Sequence, residues 1–259
     1  MHLPLRLGFS LRKLRQAVGF SMVTLAAIAW LWPIAARSLN RAPSAPAQTH
    51  GPYTTNFPHP EKPLSEGGKW LNGKTVGLDW ADVWSTPGFA FGTEIGGHRK
   101  PPQQYDDSTA LLAGAWGPSQ TVQATVHNVN PNQDDTVWEE VEIRLRSTLS
   151  PHGCTGYEIM FRCSKIPKAY CNIARWEGPL GKFTYLKNMG GSRYGVKDGD
   201  VVKASMVGNL ITVYINGEQI EQVTDNKFTS GNPGMGFFLD GATGVNHDFG
   251  FTNFMATDQ

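Results

Sequence analysis

The run "TVWEEVEIRLRSTL", residues 136–149, holds the densest chemistry in the chain. Glu140 and Glu142 stand two apart, and Arg144 and Arg146 continue the spacing, with Val141, Ile143 and Leu145 between them. A period of two marks a strand with one apolar and one charged face. Side chains i and i+2 on such a face lie about 6.5–7 Å apart. Paired carboxyls about 5–9.5 Å apart are what acid–base cleavage of a glycosidic bond uses. In "GYEIMFRC" (156–163), Tyr157, Ile159 and Phe161 form the apolar set, so Glu158, Met160 and Arg162 join the charged face. A hairpin centred near His152 sets Glu142 opposite Arg162 and Arg146 opposite Glu158, two cross-strand ion pairs worth roughly 0.2–1 kcal/mol each.

The preceding strand, "TVQATVHNV" (121–129), offers Gln123 and His127 on its polar face. Pairing by face puts His127 near Trp138 and Gln123 near Glu142, and a hairpin over 163–171 brings Trp176 beside Glu158. The expected site is therefore Gln123, His127, Trp138, Glu140, Glu142, Arg144, Arg146, Glu158, Arg162 and Trp176. Three readings of it stay open. An antiparallel sheet can turn a plain polar face to water. Planar polar groups with Trp138 or Trp176 can form a groove for a glycan, the indole lying under a pyranose ring. Glu140 and Glu142 can act as a catalytic pair, or His127 as a base.

The elements that must position these residues read as β throughout. In "DVVKASMVGNLITVYINGEQIEQVTD" (200–225), runs 201–207, 210–215 and 218–224 are separated by Gly208-Asn209 and Asn216-Gly217, turn pairs of the II′ and I′ kind. A three-stranded antiparallel meander is expected. Further strands are expected at 121–129, 138–147, 156–163, 171–177, 182–187, 234–239 and 248–256. Residues 108–116 read as a strand or a short helical turn. Short strands with turns between them predict an all-β sandwich.

The N-terminus is of another kind. Arg6, Arg12, Lys13 and Arg15 precede the uncharged run 16–36, and "APA" follows at 45–47. This is the pattern of a signal peptide or signal anchor over 1–37, with an apolar helix and an exposed linker over 38–56. The rest of the chain, 57–259, is then directed out of the cytoplasm, secreted, periplasmic or anchored to the envelope. Six of the 23 Lys and Arg residues lie in 1–47, which has no Asp or Glu, so the remainder carries 17 basic against 22 acidic residues, a formal −5. No basic patch for nucleic acid is visible. Cys154, Cys163 and Cys171 fall within 18 residues. Export permits disulfides, and the strand phases of Cys163 and Cys171 favour a bridge between them, with Cys154 spare. No cofactor is expected beyond calcium at one of the acidic loops "YDDS" (105–108), "QDD" (133–135) or "LDG" (239–241). No nucleotide-binding or G-x-S-x-G motif is present.

Over about 120–256 the order of these elements resembles the concanavalin A-like lectin/glucanase superfamily. "GYEIMFR", "ITVYINGEQIEQVTDNKFTSGNPGMGFFL" and "DFGFTNFMATD" carry the resemblance to its laminin-G-like and sugar-hydrolase-like domains. It implies a two-sheet antiparallel jelly-roll sandwich whose concave face takes glycans. The glucanases carry an E-x-D-x-x-E strand. Here the run is E-V-E-I-R-L, with Glu142 in place of Asp and Leu145 in place of the last Glu. The resemblance thus implies an exported lectin-like glycan-binding domain, with a hydrolase, a lyase or a structural adhesion domain as alternatives.

Overall fold

The computed structural model describes residues 52–97, 99–130, 136–241 and 246–259. The apolar N-terminal segment, the linker as far as Gly51 and the loop 133–135 lie outside them. Among the described residues the chain forms fifteen strands: β1 (Tyr53–Thr55), β2 (Trp70–Asn72), β3 (Trp84–Thr86), β4 (Phe89–Phe91), β5 (Ser108–Leu112), β6 (Gln120–Asn128), β7 (Trp138–Ser150) and β8 (Gly153–Arg162). They continue as β9 (Tyr170–Gly178), β10 (Phe183–Gly190), β11 (Val201–Val207), β12 (Leu210–Ile215), β13 (Glu218–Thr224), β14 (Asn232–Asp240) and β15 (Phe249–Asp258). β1 falls within the stretch read as linker and pairs with β15.

The strands make two antiparallel sheets. The back sheet runs β13-β12-β11-β6-β15-β4-β3, with β1 added beside β15, and the front sheet runs β10-β9-β8-β7-β14-β5-β2. The β11–β13 meander is as expected. Asn216 and Gly217 both have positive φ (52° and 81°), the backbone a type I′ turn requires. The core between the sheets is built from the alternate residues of each strand. Val122, Ala124 and Val126 of β6 meet Val141, Ile143 and Leu145 of β7, with Tyr157, Ile159 and Phe161 of β8 beside them, all essentially inaccessible to solvent.

Three expectations change. First, β6 and β7 follow one another in sequence but lie in different sheets. The β7 edge that β6 was expected to fill is taken by β14, which is paired from Asn232↔Ser147 to Asp240↔Trp138. Gln123 and His127 therefore belong to the back sheet and not to the charged face. Connections that switch sheets are how a jelly roll closes its edges, and local alternation does not encode them.

Second, the β7–β8 register is Glu140↔Arg162, Glu142↔Met160 and Arg144↔Glu158. The pairs Glu142–Arg162 and Arg146–Glu158 do not form across the strands. Two one-residue shifts cause this: the turn closes at Ser150↔Gly153 and is not centred on His152, and a bulge between Leu145 and Thr148, where Arg146 takes φ 45°, adds a residue to β7. The bulge turns the Arg146 side chain away from the face. Its Nε donates to Pro118 O (2.6 Å), Nη1 to Phe228 O (3.1 Å) and Nη2 to Gly208 O (2.7 Å). Arg146 is a clamp on three loops.

Third, Cys154, Cys163 and Cys171 are all buried free thiols. Cys171 stands opposite Phe161, so Cys163 is two residues out of register with it and no Cys163–Cys171 bridge forms.

The clamp role makes Arg146 a stability residue. Replacing it with Met leaves three carbonyls at partly buried positions without their charged donor, and charged hydrogen bonds contribute roughly 1.5–3 kcal/mol each before water replaces any of them. Arg146→Met is expected to lower unfolding free energy by about 2–4 kcal/mol in a denaturant titration. A change below about 0.5 kcal/mol would show that the clamp carries no weight.

Candidate functional site

The outer face of the front sheet is where the charged residues meet. Its central strands contribute Trp138, Glu140, Glu142 and Arg144 from β7, Glu158, Met160 and Arg162 from β8, and Trp176 from β9. This face is not open to water. Glu142 and Arg144 are 0% exposed, and Glu140, Glu158, Arg162 and Trp176 are at most 5% exposed. The plain solvated face is therefore excluded. Half of it lies under a second small core, in which Trp80, Leu111, Leu149, Cys154 and Trp176 pack with Tyr105, Leu180 and Phe183. The segment 73–80 supplies this cover.

Arg144 is the centre of the covered half. Its Nη2 lies 2.8 Å from Glu142 Oε2, 2.6 Å from Glu158 Oε1 and 3.3 Å from Asp107 Oδ2, and 3.3 Å from Thr109 Oγ1. The Trp176 indole donates to Glu158 Oε2 at 2.6 Å, and the guanidinium carbon lies 5.7 Å from its ring centroid. The neighbouring strand β14 makes room with Gly236, which faces Glu142 in the register. A Cβ there would overlap Glu142 Oε2 and stand 3.1 Å from Arg144 Nε.

One guanidinium among three carboxyls cannot balance them all as anions. Burial, then the charge of Glu158, pushes both Asp107 and Glu142 well above the usual carboxylate range. Burial lowers the affinity of Arg144 for its proton, but Glu158 and Glu142 more than offset this and it stays charged. The oxygens of Asp107, Glu142 and Glu158 lie within 4.8 Å of one another, so they could close on one metal ion. An ion there would have to displace the Arg144 guanidinium. Of the loops expected to hold calcium, Asp106 is taken by Arg99, and Asp107 is part of this cluster.

A cavity of about 60 Å³ sits over the cluster, bounded by Tyr105, Asp107, Glu140, Glu142, Glu158 and Tyr185 among others. It has room for a few waters, and is far below the roughly 300–1,000 Å³ of a pocket for an organic ligand. Beside it, across Tyr185, the face opens into a groove of about 470 Å³. Tyr170, Asn172, Tyr185, Asn188 and the Pro167–Lys168 turn line this groove. Tyr170 links the two: its hydroxyl donates to Glu140, which is buried at the cavity wall. Burial raises the Glu140 carboxyl to about 7, the Tyr170 hydrogen bond opposing it. Tyr185 is 47% exposed.

Of the ten expected residues, the structure brings Glu140, Glu142, Arg144, Glu158, Arg162, Trp138 and Trp176 to one face. Arg162 lies between two rings, 5.3 Å from the Trp138 centroid and 5.9 Å from that of Tyr170. Gln123, His127 and Arg146 lie elsewhere. His127 stacks on Phe89 with centroids 4.5 Å apart and meets Asp198 at 3.5 Å, far from any role as base to this face. Tyr170, Asn172, Tyr185, Asn188 and Gly236 were not foreseen as site residues, and Asp107 was foreseen only as part of an acidic loop for calcium. The signal for Tyr170 and Asn172 was present in the alternation of the strand expected at 171–177: Cys171 and Ile173 are buried, and Tyr170 and Asn172 fall in the opposite phase.

At the level of sequence, neither a family profile nor a curated protein matches the chain. Solved structures do match in fold. The carbohydrate recognition domain of Emp46p, in its metal-free form, superposes with a TM-score of 0.51 at 12% identity, covering 79% of this chain and 95% of that one. Carbohydrate binding module CBM66 from Bacillus subtilis gives 0.48 at 14% identity, covering 69% of this chain and 96% of that one. Porphyranase B from Zobellia galactanivorans gives 0.47 at 10%, covering 79% and 90%. The likeness is one of fold, a two-sheet antiparallel sandwich, as the sequence resemblance implied.

Two results are expected from the cluster. Gly236 has room for its own backbone but not for a methyl group, so Gly236→Ala should cost about 1–3 kcal/mol by overpacking, read as a lower denaturation midpoint. The second concerns pH. Burial holds Glu140 and Glu139 at about 7 and Glu94 at about 8 when folded, against roughly 4.3 unfolded. The folded state therefore binds more protons across that window, and stability falls as pH rises from about 5 to 8. A melting temperature at least about 5 °C lower at pH 8.5 than at pH 5.5 is expected, the effect of roughly 2 kcal/mol in a chain of this size. Glu94→Gln should flatten the slope. A melting temperature that is level or rises with pH would contradict it.

Proposed function

We propose that the chain is a carbohydrate-binding β-sandwich protein that works outside the cytoplasm, and that it holds a glycan in the groove beside the buried cluster. The observation that carries this reading is the junction at Tyr170. Two tyrosines and two asparagine amides line an open groove, and one of those tyrosines is bonded to a buried carboxyl. Aromatic faces take the apolar side of a pyranose ring, and amides take its hydroxyls in pairs. The covered cluster does not touch the glycan. It fixes β7, β8 and β9 so that the groove keeps its shape. Export rests on the basic-then-apolar start of the chain, and membrane anchoring would follow if that segment is retained.

A second reading has its own support. A carboxyl raised to about 7, as Glu140 is, is poised to give up or take a proton near neutral pH. In a hydrolase or lyase built on the same groove, Glu140 would be the proton-transferring group. Glu142, spent on Arg144, would not be its partner.

A glycan array followed by a product assay on the hits separates the readings. Binding without product supports the lectin-like domain, binding with product the enzyme, and no binding to any glycan counts against both. Tyr170→Phe and Asn172→Ala should each weaken glycan binding at least about fivefold, roughly one hydrogen bond. The melting temperature should change little in Asn172→Ala, whereas Tyr170→Phe should also lower it, because the buried Glu140 carboxyl loses its donor. Binding that survives both substitutions would move the site elsewhere. Fractionation of expressing cells tests export, and a soluble cytosolic full-length chain would rule it out.

A further inference from the structure

The back sheet carries aromatic side chains on the side away from the core, where water rather than a covering loop is the expected neighbour. In β3 and β4, Ser85 and Ala90 face inwards, so Trp84, Phe89 and Phe91 face outwards, and all three are half-buried. Phe89 and Phe91 contact each other at 5.5 Å between centroids. Together with Lys62, Thr86, Asn246 and His247 they line a depression of about 670 Å³, of mainly apolar surface. That volume is in the range of ligand pockets. Large apolar side chains clustered on an outer face call for an occupant in a way that scattered ones do not.

The polar groups at the rim say what that occupant is. The Lys62 ammonium stands 4.7 Å from the centroid of the Trp84 ring. Lys62 is exposed, and its ammonium has no carboxylate within ion-pair distance among the described residues. Asn246 donates its amide N–H to Glu94 O at 2.6 Å, which fixes the side chain and leaves its Oδ1 buried and without a donor. The site thus offers a flat indole and a cation beside it.

We infer that this depression is a second saccharide site, separate from the front-sheet groove, and that it takes a hexuronate residue. The sugar ring lies on Trp84, beside the Asn246 and His247 side chains that line the depression. A hexuronate carries its carboxylate at the edge of the ring, so a ring stacked on the indole brings that carboxylate to the Lys62 ammonium. A neutral sugar would stack but leave the ammonium unpaired, and an isolated anion would have nothing to stack. The site is built from β3, β4 and the adjoining Lys62 and Asn246–His247 segments, and does not depend on the front groove binding anything.

The test is calorimetric titration of the full chain with trigalacturonate, with maltotriose as the neutral control. Trigalacturonate should bind at least tenfold more tightly than maltotriose, and more weakly as salt is raised. Lys62→Glu should weaken it at least tenfold, and because Lys62 is exposed this variant should keep its fold. Trp84→Ala should abolish binding in protein whose melting is still cooperative. Asn172→Ala, in the front groove, should leave trigalacturonate binding unchanged. No heat with trigalacturonate, equal affinity for maltotriose, or binding that resists Lys62→Glu would each overturn the inference. So would loss through Asn172→Ala alone, which would assign the acidic sugar to the front groove. If Trp84→Ala changes the sedimentation of the chain and not its saccharide binding, the face is an interface between copies and the inference fails.

Discussion

A guanidinium sealed in with three carboxyls is the constraint on which the front sheet depends. Arg144 reaches Glu142 on its own strand, Glu158 on the next and Asp107 just before β5. It therefore ties the β7–β8 hairpin to Asp107 at the start of β5, 37 residues before Arg144. Such an arrangement is a poor source of net stability, because desolvating the charges offsets most of their attraction. Its effect is on specificity. Removing one member leaves the others buried and unmatched, at a cost of roughly 3–5 kcal/mol, so the register of β7 with β8 and β14 has little freedom to slip. The excess negative charge is met by keeping protons on carboxyls, and this is why the cluster is tolerated under Trp176 and Trp80.

The groove inherits its character from that cluster. Glu140 is two residues from Glu142 on the same face, but its position at the edge of the cover gives it a neutral hydrogen-bond partner, Tyr170, with Arg162 opposite it in the register. The face is thus divided. Towards β5 and the 73–80 segment it is dry and ionic, and its residues are spent on one another. Towards β9 and β10 it is open, and its residues are amides and phenols with capacity left over. A ligand at the open side senses the buried side through one hydrogen bond, from Tyr170 to Glu140.

Alternation within strands was legible in the sequence. Val141, Ile143 and Leu145 were read as core and are fully buried, and the β11–β13 meander has its boundaries where the Gly-Asn and Asn-Gly pairs place them. The resemblance supplied the sandwich. Pairing between strands was not legible. His127 was assigned to the wrong sheet because chain order was taken for sheet order, and β14, some 90 residues downstream of β7, is its true neighbour. Arg146 was assigned to the face because a bulge does not show in a period-two pattern. The cover was invisible too, since residues 73–80 have no alternation that announces a lid over charges. Gly236 carried a signal that only the partner strand makes readable: a glycine opposite Glu142, leaving space for an ion pair.

Tryptophan on a charged face suggests a sugar platform, and here that inference has to be made ring by ring. Trp176 is 2% exposed and spends its indole N–H on Glu158. Trp138 has Arg162 against it, and Arg162 is itself buried, so that cover cannot swing away to admit a ligand. What remains for stacking on the front sheet is tyrosine, with Tyr185 about half exposed. Trp84 on the back sheet also has a cation over it, but Lys62 is an exposed, flexible chain that a ligand can displace and then pair with. A tryptophan is available for recognition when whatever lies on its ring can move, and in this molecule that condition favours Trp84 over the two tryptophans beside the charged strand.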